Sequence, residues 1–509
     1  MAMIADWVSE EMQTADLGDT RRDERLKRIL TDLAMQPVVS IPAAVNGGRA
    51  ETEAVYRFFE NDAFEFGDIL TPHCEATLRR IRAEKVVVIA QDTSEIDLTR
   101  PQQQVFGAGP LDEGSRRGCF LHAQHAFTTE ALALGSVAAL TWARADEPRT
   151  KANQAQRRKD RKAAPIEDKE SQRWVDGMRW AHHIARQAPD TQIISVSDSE
   201  ADIFEMLVAA QFPETDPDLL ESVTTNSPRA QWIVRACQER ALLPDSTTDQ
   251  PSAVNHPADT QLLKTLSDKV ASAAVLRTYE VQVRGRDPKV SCETRGRRQA
   301  RESRTAVVEL RACAVTLRAP RRKDRQLPNV TLNVVLVREV NPPQGEPPIE
   351  WLLLTSLPIN TPEEALRVVT LSALRWQIEI FFRVLKQGCR LEARRFETLD
   401  RVWRYMAVAM VIAWRTLYVM RLGREFPDLS CEVVFDVSEW KAVYQIIQRQ
   451  PPPKTPPPLG EIVRMVGQLG GFVNRSKDAM PGAETIWKGL QRLHDMALCW
   501  DAFGPTNSG

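Results

Sequence analysis

A mixed α/β fold with helical ends is what this sequence predicts, and three observations predict it. Val86-Val-Val-Ile-Ala90 and Thr191-Gln-Ile-Ile-Ser-Val196 are short β-branched runs of the kind buried on both faces of a sheet. Segments 274–284, 305–317 and 330–340 alternate or run apolar with turn residues between them, as an antiparallel sheet requires. Both ends of the chain instead repeat apolar residues at helical spacing.

The composition sets the limits. At roughly 100–200 residues per domain, 509 residues predict two to four domains. With 43% hydrophobic residues the chain can bury cores, which excludes disorder of the whole chain. No stretch approaches the roughly 18 apolar residues of a spanning helix, and the longest run, Ala407–Trp414, reads as a buried helix. The start, Met1-Ala-Met-Ile-Ala-Asp6, has neither a basic nor a cleavable apolar segment, so a cytoplasmic chain is expected. Eight scattered cysteines without a close pair argue against a zinc ribbon and a disulfide scaffold. No histidine spacing suits a metal either, so any metal would be held by carboxylates, which points to Mg²⁺ or Mn²⁺.

A net charge of −1 hides segregation. Four basic runs stand out: Arg21 to Arg28, Arg295 to Arg304, Arg318 to Arg325, and Arg390 to Arg404. One such run is ordinarily a solvated face, but four flanking candidate carboxylates point to a polyanion.

Taken in order, the elements are these. Asp19 can cap a helix bearing Leu26, Ile29, Leu30 and Leu33, which Pro37, Pro42 and Gly47-Gly48 end. A second helix is expected from about 50 to 61. The strand at 86–90 ends at Gln91-Asp92-Thr93, and two more follow at 120–127 and 131–142. A charged loop is expected over 145–172, then a helix at 174–187. The strand at 191–196 leads into Ser197-Asp198-Ser199-Glu200 and a helix opening at Glu200. Gln231–Arg235 is a strand, and so is Trp351–Thr355. Thr361-Pro362-Glu363-Glu364 starts a helix predicted to run to about Gln387. Helix continues over 398–422. Pro451–Pro458 reads as a stiff spacer, and 460–502 as a helical hairpin.

Asp92 and Asp198 each follow a buried strand, where α/β sheets place their sites. Such an aspartate is ordinarily a turn or cap residue, and Asp198 could simply cap the helix at Glu200. On a continuous helix over 362–387, Ser372, Arg375, Glu379 and Lys386 share one stripe, while Val369, Leu374, Ile378, Phe381, Phe382 and Leu385 face the core. Arg375 and Glu379 could equally be a surface pair one helical turn apart. Three carboxylates can hold two divalent cations for phosphoryl displacement, with Arg and Lys on the flanking phosphates.

These residues carry a family resemblance. Leu17-Gly-Asp-Thr-Arg-Arg22, Ala54-Val-Tyr-Arg-Phe58, Gln91-Asp-Thr93, Val196-Ser-Asp-Ser-Glu-Ala-Asp-Ile203, Glu339-Val-Asn-Pro-Pro343, Trp351-Leu-Leu-Leu-Thr-Ser356, Arg375-Trp-Gln-Ile-Glu379 with Lys386, and Leu469-Gly-Gly-Phe472 occur in order. The chain thereby resembles bacterial insertion-sequence transposases with a DDE site, of the transposon five cut-and-paste type. The resemblance implies a ribonuclease-H-like catalytic core over 71–425, interrupted by a β-rich insertion at about 236–350. It also implies a helical transposon-end-binding domain at 1–70 and a helical dimerisation region at 426–509.

The resemblance places the catalytic and metal-binding triad on Asp92, Asp198 and Glu379, with two Mg²⁺ or Mn²⁺ ions. The family's Tyr-Arg-Glu-Lys signature falls on Ser372, Arg375, Glu379 and Lys386, with Ser372 replacing the tyrosine. Trp351 matches a tryptophan that stacks on a flipped base when the DNA end closes into a hairpin. A core tryptophan opening a buried strand is the alternative. Arg235 resembles an arginine near the DNA end, with a structural ion pair as its equal alternative. Arg21, Arg22 and Arg25 match end-contacting arginines, and Arg49 stands where a relative has an acidic residue, which should strengthen DNA binding. Gln36 and Pro42 differ from contact positions, which implies another end sequence. The implied partners are transposon-end DNA, target DNA and a second copy of the chain, with no membrane. A DNA-binding or regulatory relative without full activity, and a metal-dependent nuclease that does not join strands, are the rival expectations.

Overall fold

The computed structural model describes residues 5–45, 48–100, 102–112, 115–146, 164–213, 228–243, 265–285, 302–322, 325–475 and 478–504. The basic residues Arg295, Arg297, Arg298, Arg301 and Lys323 lie outside them, as does most of the charged stretch at 145–172. Two compact units are formed: Met1–Gln154 with Gln187–Gln192 and Trp376–Gly509, and Ala155–Arg186 with Ile193–Arg375.

The first unit opens with helices α1 (Asp6–Glu11), α2 (Thr20–Met35), α3 (Ile41–Ala44), α4 (Arg49–Glu60) and α5 (Phe66–Ile81). The Asp19 carboxylate caps α2 by accepting the Arg21 N–H at 2.8 Å. Leu26, Ile29, Leu30 and Leu33 are buried, as their spacing predicts. Strand β1 (Val86–Asp97) pairs antiparallel with β3 (Arg117–Thr128). The other edge of β3 takes β4 (Ala133–Trp142) and the short β2 (Gly109–Pro110). Gly135, with φ +136°, lets β4 meet α5; a Cβ there would lie 2.0 Å from Thr77 Oγ1.

Two sequence expectations about β1 meet the structure differently. Val87 to Ala90 are fully buried, as a two-faced core strand should be. The strand does not end at Gln91, however. Its polar half, Asp92 to Asp97, continues the ladder against β3 and is mostly half-buried. Asp92 therefore sits inside the strand, because cross-strand pairing overrides the polar composition that marked an end.

The second unit contains α6 (Gln172–Gln187) and six β-strands. Strand β5 (Gln192–Ser197) runs parallel to β6 (Gln231–Arg235). The rest is antiparallel: β6 with β10 (Glu350–Thr355), then β9 (Val330–Glu339), β8 (Arg304–Leu317) and β7 (Val275–Val283). Helices α7 (Phe204–Gln211), α8 (Leu266–Ala271) and α9 (Pro362–Ala373) accompany it. The helix expected at Glu200 is instead a 3₁₀ turn, Ser199–Ala201, followed by α7.

The long helix predicted over 362–387 is broken. Thr361 caps α9 through the Glu364 N–H at 3.2 Å, with Pro362 in the first turn, as expected. At its end the N–H groups of Leu374 and Arg375 bond back three residues, to Leu371 and Ser372, which tightens the turn. A new helix, α10 (Trp376–Arg383), follows and runs into a π turn at Val384–Gly388. The single stripe of Ser372, Arg375, Glu379 and Lys386 thus does not exist as one helix face. Ile378, Phe381, Phe382 and Leu385 are buried, but Val369 and Leu374 are only half-buried, and Val368 and Leu371 take the core positions.

The first unit resumes with α11 (Leu399–Glu425), α12 (Val437–Gln448), α13 (Leu459–Leu469) and α14 (Ala483–Phe503). Helix α11 is long and apolar enough to cross a membrane, yet 83% of its apolar window is buried inside the protein. The predicted run Ala407–Trp414 is buried throughout, and the Trp414 indole N–H reaches the Ala133 carbonyl at 2.9 Å. The proline run is not a free spacer. The Cys431 N–H donates to the Pro457 carbonyl at 3.0 Å and the Leu459 N–H to the Leu429 carbonyl at 2.6 Å, stitching it to the segment before α12.

Candidate active site

In the first unit the chemistry starts from β1. Asp92 lies directly opposite Ala123, a small partner that leaves its carboxylate room. The same face carries Ala90 opposite His125. Helix α10 packs on β1, and its Phe381 ring lies 4.7 Å from the His125 ring. The helix bearing Glu379 is therefore laid over the sheet face to which Asp92 points. Both carboxylates are half-buried. Asp92 Oδ1 accepts the Thr93 N–H at 2.8 Å, and the Thr93 hydroxyl meets His122 Nδ1 at 2.9 Å on the opposite face.

Lys386 stands in the π turn, with Nζ 3.8 Å from Glu392 Oε1. The same oxygen accepts the Asp97 N–H at 3.0 Å, so Glu392 ties the end of β1 to the lysine. Glu392 is a residue that sequence reasoning missed; only the irregular turn brings it back to the strand, and no spacing announces it. His125 was missed as well. It is wholly buried, and burial holds its pKa well below the usual histidine value, so it is a neutral ring beneath the site.

In the second unit Asp198 follows β5, as expected, and caps the 3₁₀ turn by accepting the Glu200 N–H at 2.8 Å. The bland role foreseen for it is thus filled, which leaves its second oxygen for other chemistry. Asp202 of the Glu-Ala-Asp-Ile signature is fully structural. It accepts the N–H groups of Cys237 and Gln238 at 2.8 and 2.7 Å and pairs with Arg240, fixing the chain just after Arg235. Arg235 lies opposite Leu353, so it shares a sheet face with Trp351, two residues along β10. Arg235 is exposed and Trp351 half-buried. Helix α9, which carries Ser372 in its last turn, packs on β6, β9 and β10, and Ser372 and Arg375 are half-buried at its end.

The donor chemistry suits a hard divalent cation, since Asp92 and Glu379 offer half-exposed carboxylate oxygens. Among the described residues no three His, Cys, Asp or Glu side chains stand gathered as a ready metal cage.

The basic runs divide sharply. Arg21 is exposed on α2. Arg22 donates to the Leu17 carbonyl at 3.0 Å, and Arg25 pairs with Glu51 at 2.8 Å. Arg49 is 92% exposed but pairs with Glu53 at 2.9 Å, so the extra cation is partly answered by its own helix. Gln36 reaches Asp495 at 3.0 Å. Arg304 pairs with Glu339, Arg322 with Glu205 and Arg325 with Glu167. The run at 390–404, expected to meet a polyanion, is in part internal. Buried Arg394 donates to the carbonyls of Pro37, Val39 and Cys389 and to the Tyr405 hydroxyl. Buried Arg404 donates to the carbonyls of Phe59 and Phe64 at 3.0 Å and pairs with Asp62 at 2.9 Å. Sequence alone cannot tell a guanidinium that meets carbonyls from one that meets phosphate.

Comparison with known proteins bears on the whole arrangement. Residues 4–64 match the family described as transposase DNA-binding, 218–414 that described as transposase DDE domain, and 411–499 that described as transposase Tn5 dimerisation domain. Of the three candidate carboxylates, Glu379 lies within the DDE match, and Asp92 and Asp198 precede it. A solved structure of a piggyBac transposase synaptic complex with hairpin DNA also matches, at 10% identity, over 83% of this chain and 72% of that one, with a TM-score of 0.32.

The helical DNA-binding front, the sheet core and the helical tail define a DDE transposase, an enzyme that cuts DNA and transfers strands, on a ribonuclease-H-like fold. Within that class, the chain belongs to the Tn5-like transposases, with DNA and a second copy of itself as partners and a divalent metal as the DDE chemistry requires.

Proposed function

We propose that the chain excises a mobile element by cut-and-paste transposition, with Asp92, Asp198 and Glu379 holding two Mg²⁺ or Mn²⁺ ions. The observation that supports this best is the helix of Glu379 laid over the Asp92 face of β1. Bound there, the ions would supply Lewis-acid activation of the attacking oxygen and stabilisation of the leaving oxygen. Arg375 and Lys386 would orient the scissile phosphate between its neighbours.

In this reading water displaces the 3′ oxygen at the transposon end. The freed 3′-hydroxyl then attacks the opposite strand, releasing flanking DNA and closing a hairpin. A second water opens the hairpin, and the 3′-hydroxyl attacks target DNA. Trp351 would receive the base expelled from the tight hairpin, with Arg235 on the same sheet face toward the backbone. Residues 1–70 read the end through Arg21, Arg22 and Arg25, with Arg49 adding non-specific attraction. Residues 71–425, with the insertion at 236–350, perform the chemistry, and 426–509 pair two copies in the synaptic complex.

The test is nick, hairpin and strand-transfer accumulation on end-labelled DNA. Asp92→Asn, Asp198→Asn and Glu379→Gln should each abolish the nick while keeping end binding; a variant that still nicks at the normal rate removes that residue from the triad. Trp351→Ala should leave the nick intact and slow the hairpin ~5–150-fold, the value of ~1–3 kcal/mol of lost stacking. Ser372→Tyr should speed it. Equal slowing of both steps by Trp351→Ala would make Trp351 a core residue. Nicking without joining of pre-cut ends would make the protein a nuclease.

A further inference from the structure

Phe106 is 81% exposed, among the most exposed large apolar side chains of the described residues. Its backbone is nevertheless fixed. The Phe106 N–H donates to the Glu397 carbonyl at 2.8 Å, and its carbonyl accepts the Leu399 N–H at 2.9 Å, forming a parallel bridge with Thr398. Gly107, at φ +87°, turns the chain away immediately afterwards, a conformation an L side chain resists. A rigid mount therefore holds a bare ring in solvent.

The neighbours of that mount are cationic. Arg100 donates to the carbonyls of Arg394 and Phe396, so no carboxylate answers its charge through those bonds. Those two carbonyls belong to the residues on either side of Arg395, so Arg100 is anchored to the segment that carries Arg395. Arg395 itself is exposed. The acidic Glu397 is held by Arg401 at 3.4 Å. The surface also continues into the DNA-binding front. Arg394 and Arg390 bond the carbonyls of Pro37, Val38 and Val39, and a cavity of 280 Å³ lies between that segment and Arg390, Arg394 and Arg395.

We propose that Phe106, flanked by Arg100 and Arg395, is a contact point for the transposon end outside the DDE motif and the N-terminal helices. The ring packs on a sugar or base face of the duplex held by residues 4–64, and the exposed Arg395 guanidinium meets its phosphates, with the carbonyl-bonded Arg100 adding positive charge behind it. This rests on the reading that the chain grips a transposon end, and the continuity with the DNA-binding front selects end DNA over target DNA. Phosphate contacts position a duplex, while an aromatic face adds stacking of little sequence dependence.

The experiment uses the full chain and labelled end duplex, with random duplex as competitor. Phe106→Ala should weaken end binding ~5–150-fold, and Phe106→Trp should retain it. Arg395→Gln should lower the slope of log affinity against log salt by about 1. Melting temperatures of all three should match that of the unaltered protein, since these side chains are exposed. Unchanged end affinity in Phe106→Ala overturns the proposal. So does normal end binding with only target joining impaired, or a shift from dimer to monomer without DNA, which would make the ring a protein contact. Binding needs no catalysis, so failure of the Asp92, Asp198 and Glu379 assignments would leave this result interpretable.

Discussion

Arg394 and Arg401 belong to one basic run and have different duties. Arg394 is 6% exposed and ends in three carbonyls and a hydroxyl. Arg401 is half-buried and pairs with Glu60 at 3.3 Å and Glu397 at 3.4 Å. Removing the first strands several buried acceptors at ~1–3 kcal/mol each; removing the second costs little, because surface ion pairs are weak. Arg394→Ala should therefore lower the unfolding free energy by at least ~2 kcal/mol, and Arg401→Ala by no more than ~0.5 kcal/mol, in urea titrations. Arg394→Lys should not rescue, since an ammonium lacks the planar fork that serves several acceptors. At this scale the sequence announced charge but not its partners. Asp202, invisible as anything but a motif letter, proved to be a buried anchor for the same reason.

Elements show where periodicity succeeds and where it stops. The cap, proline and acidic turn at Thr361–Glu364 were readable because they act within four residues. The break at Leu374 and the π turn at Val384–Gly388 were not, because packing against β1 and the later helices decides how the backbone winds. Helix α12 offers a test of a different kind. Asp436 and Glu439 form a capping box, and burial raises the Glu439 pKa to about 7, against the lowering effect of the Asp436 N–H bond and the Arg415 charge, while the charges of Asp436 and Asp501 add to the rise. Its folded pKa exceeds the unfolded value of 4.5, so the folded state prefers the protonated acid. The resulting stability is fully present below pH 4.5 and is lost as pH rises through about 7. Thermal stability should thus fall across that window, and Glu439→Gln, which keeps the capping oxygen, should flatten the slope. An unchanged slope in the variant would assign the titration to another group.

For the whole molecule, the DNA-binding front is bound into the first unit through polar pins. Glu11 of α1 meets His73 Nδ1 at 2.5 Å and Arg80 at 2.8 Å, and the Arg80 guanidinium lies over the Trp414 ring. Although burial opposes it, the charges and hydrogen bonds of His73 and Arg80 hold the Glu11 pKa down to about 2. Arg394 and Arg404 reach the same front from the other side. Deleting residues 1–64 should therefore do more than remove end recognition: it should take from His73, Arg80 and Arg394 the partners they have in the front, take from Arg404 its bonds to Phe59, Asp62 and Phe64, and lower the melting temperature of the remainder. A truncated chain with unchanged melting temperature would show the front to be separable, and Arg21→Ala is the cleaner way to weaken end reading alone.

By itself the sequence determined the fold class, most strands within a residue or two, the cap of α2, and the ordered motifs that identify a DDE transposase. These depend on local chemistry: β-branched runs, caps, and residue types at short spacing. Only the tertiary structure decided that Asp92 sits inside a strand beneath α10, that the helix of Glu379 is a separate one, and which arginines are internal. It alone set Phe106 on a rigid mount in solvent. Each of these depends on partners tens to hundreds of residues away, such as Glu397 for Phe106 and Pro37 for Arg394. Burial and pairing at that range are set by how the layers pack, which no local pattern encodes.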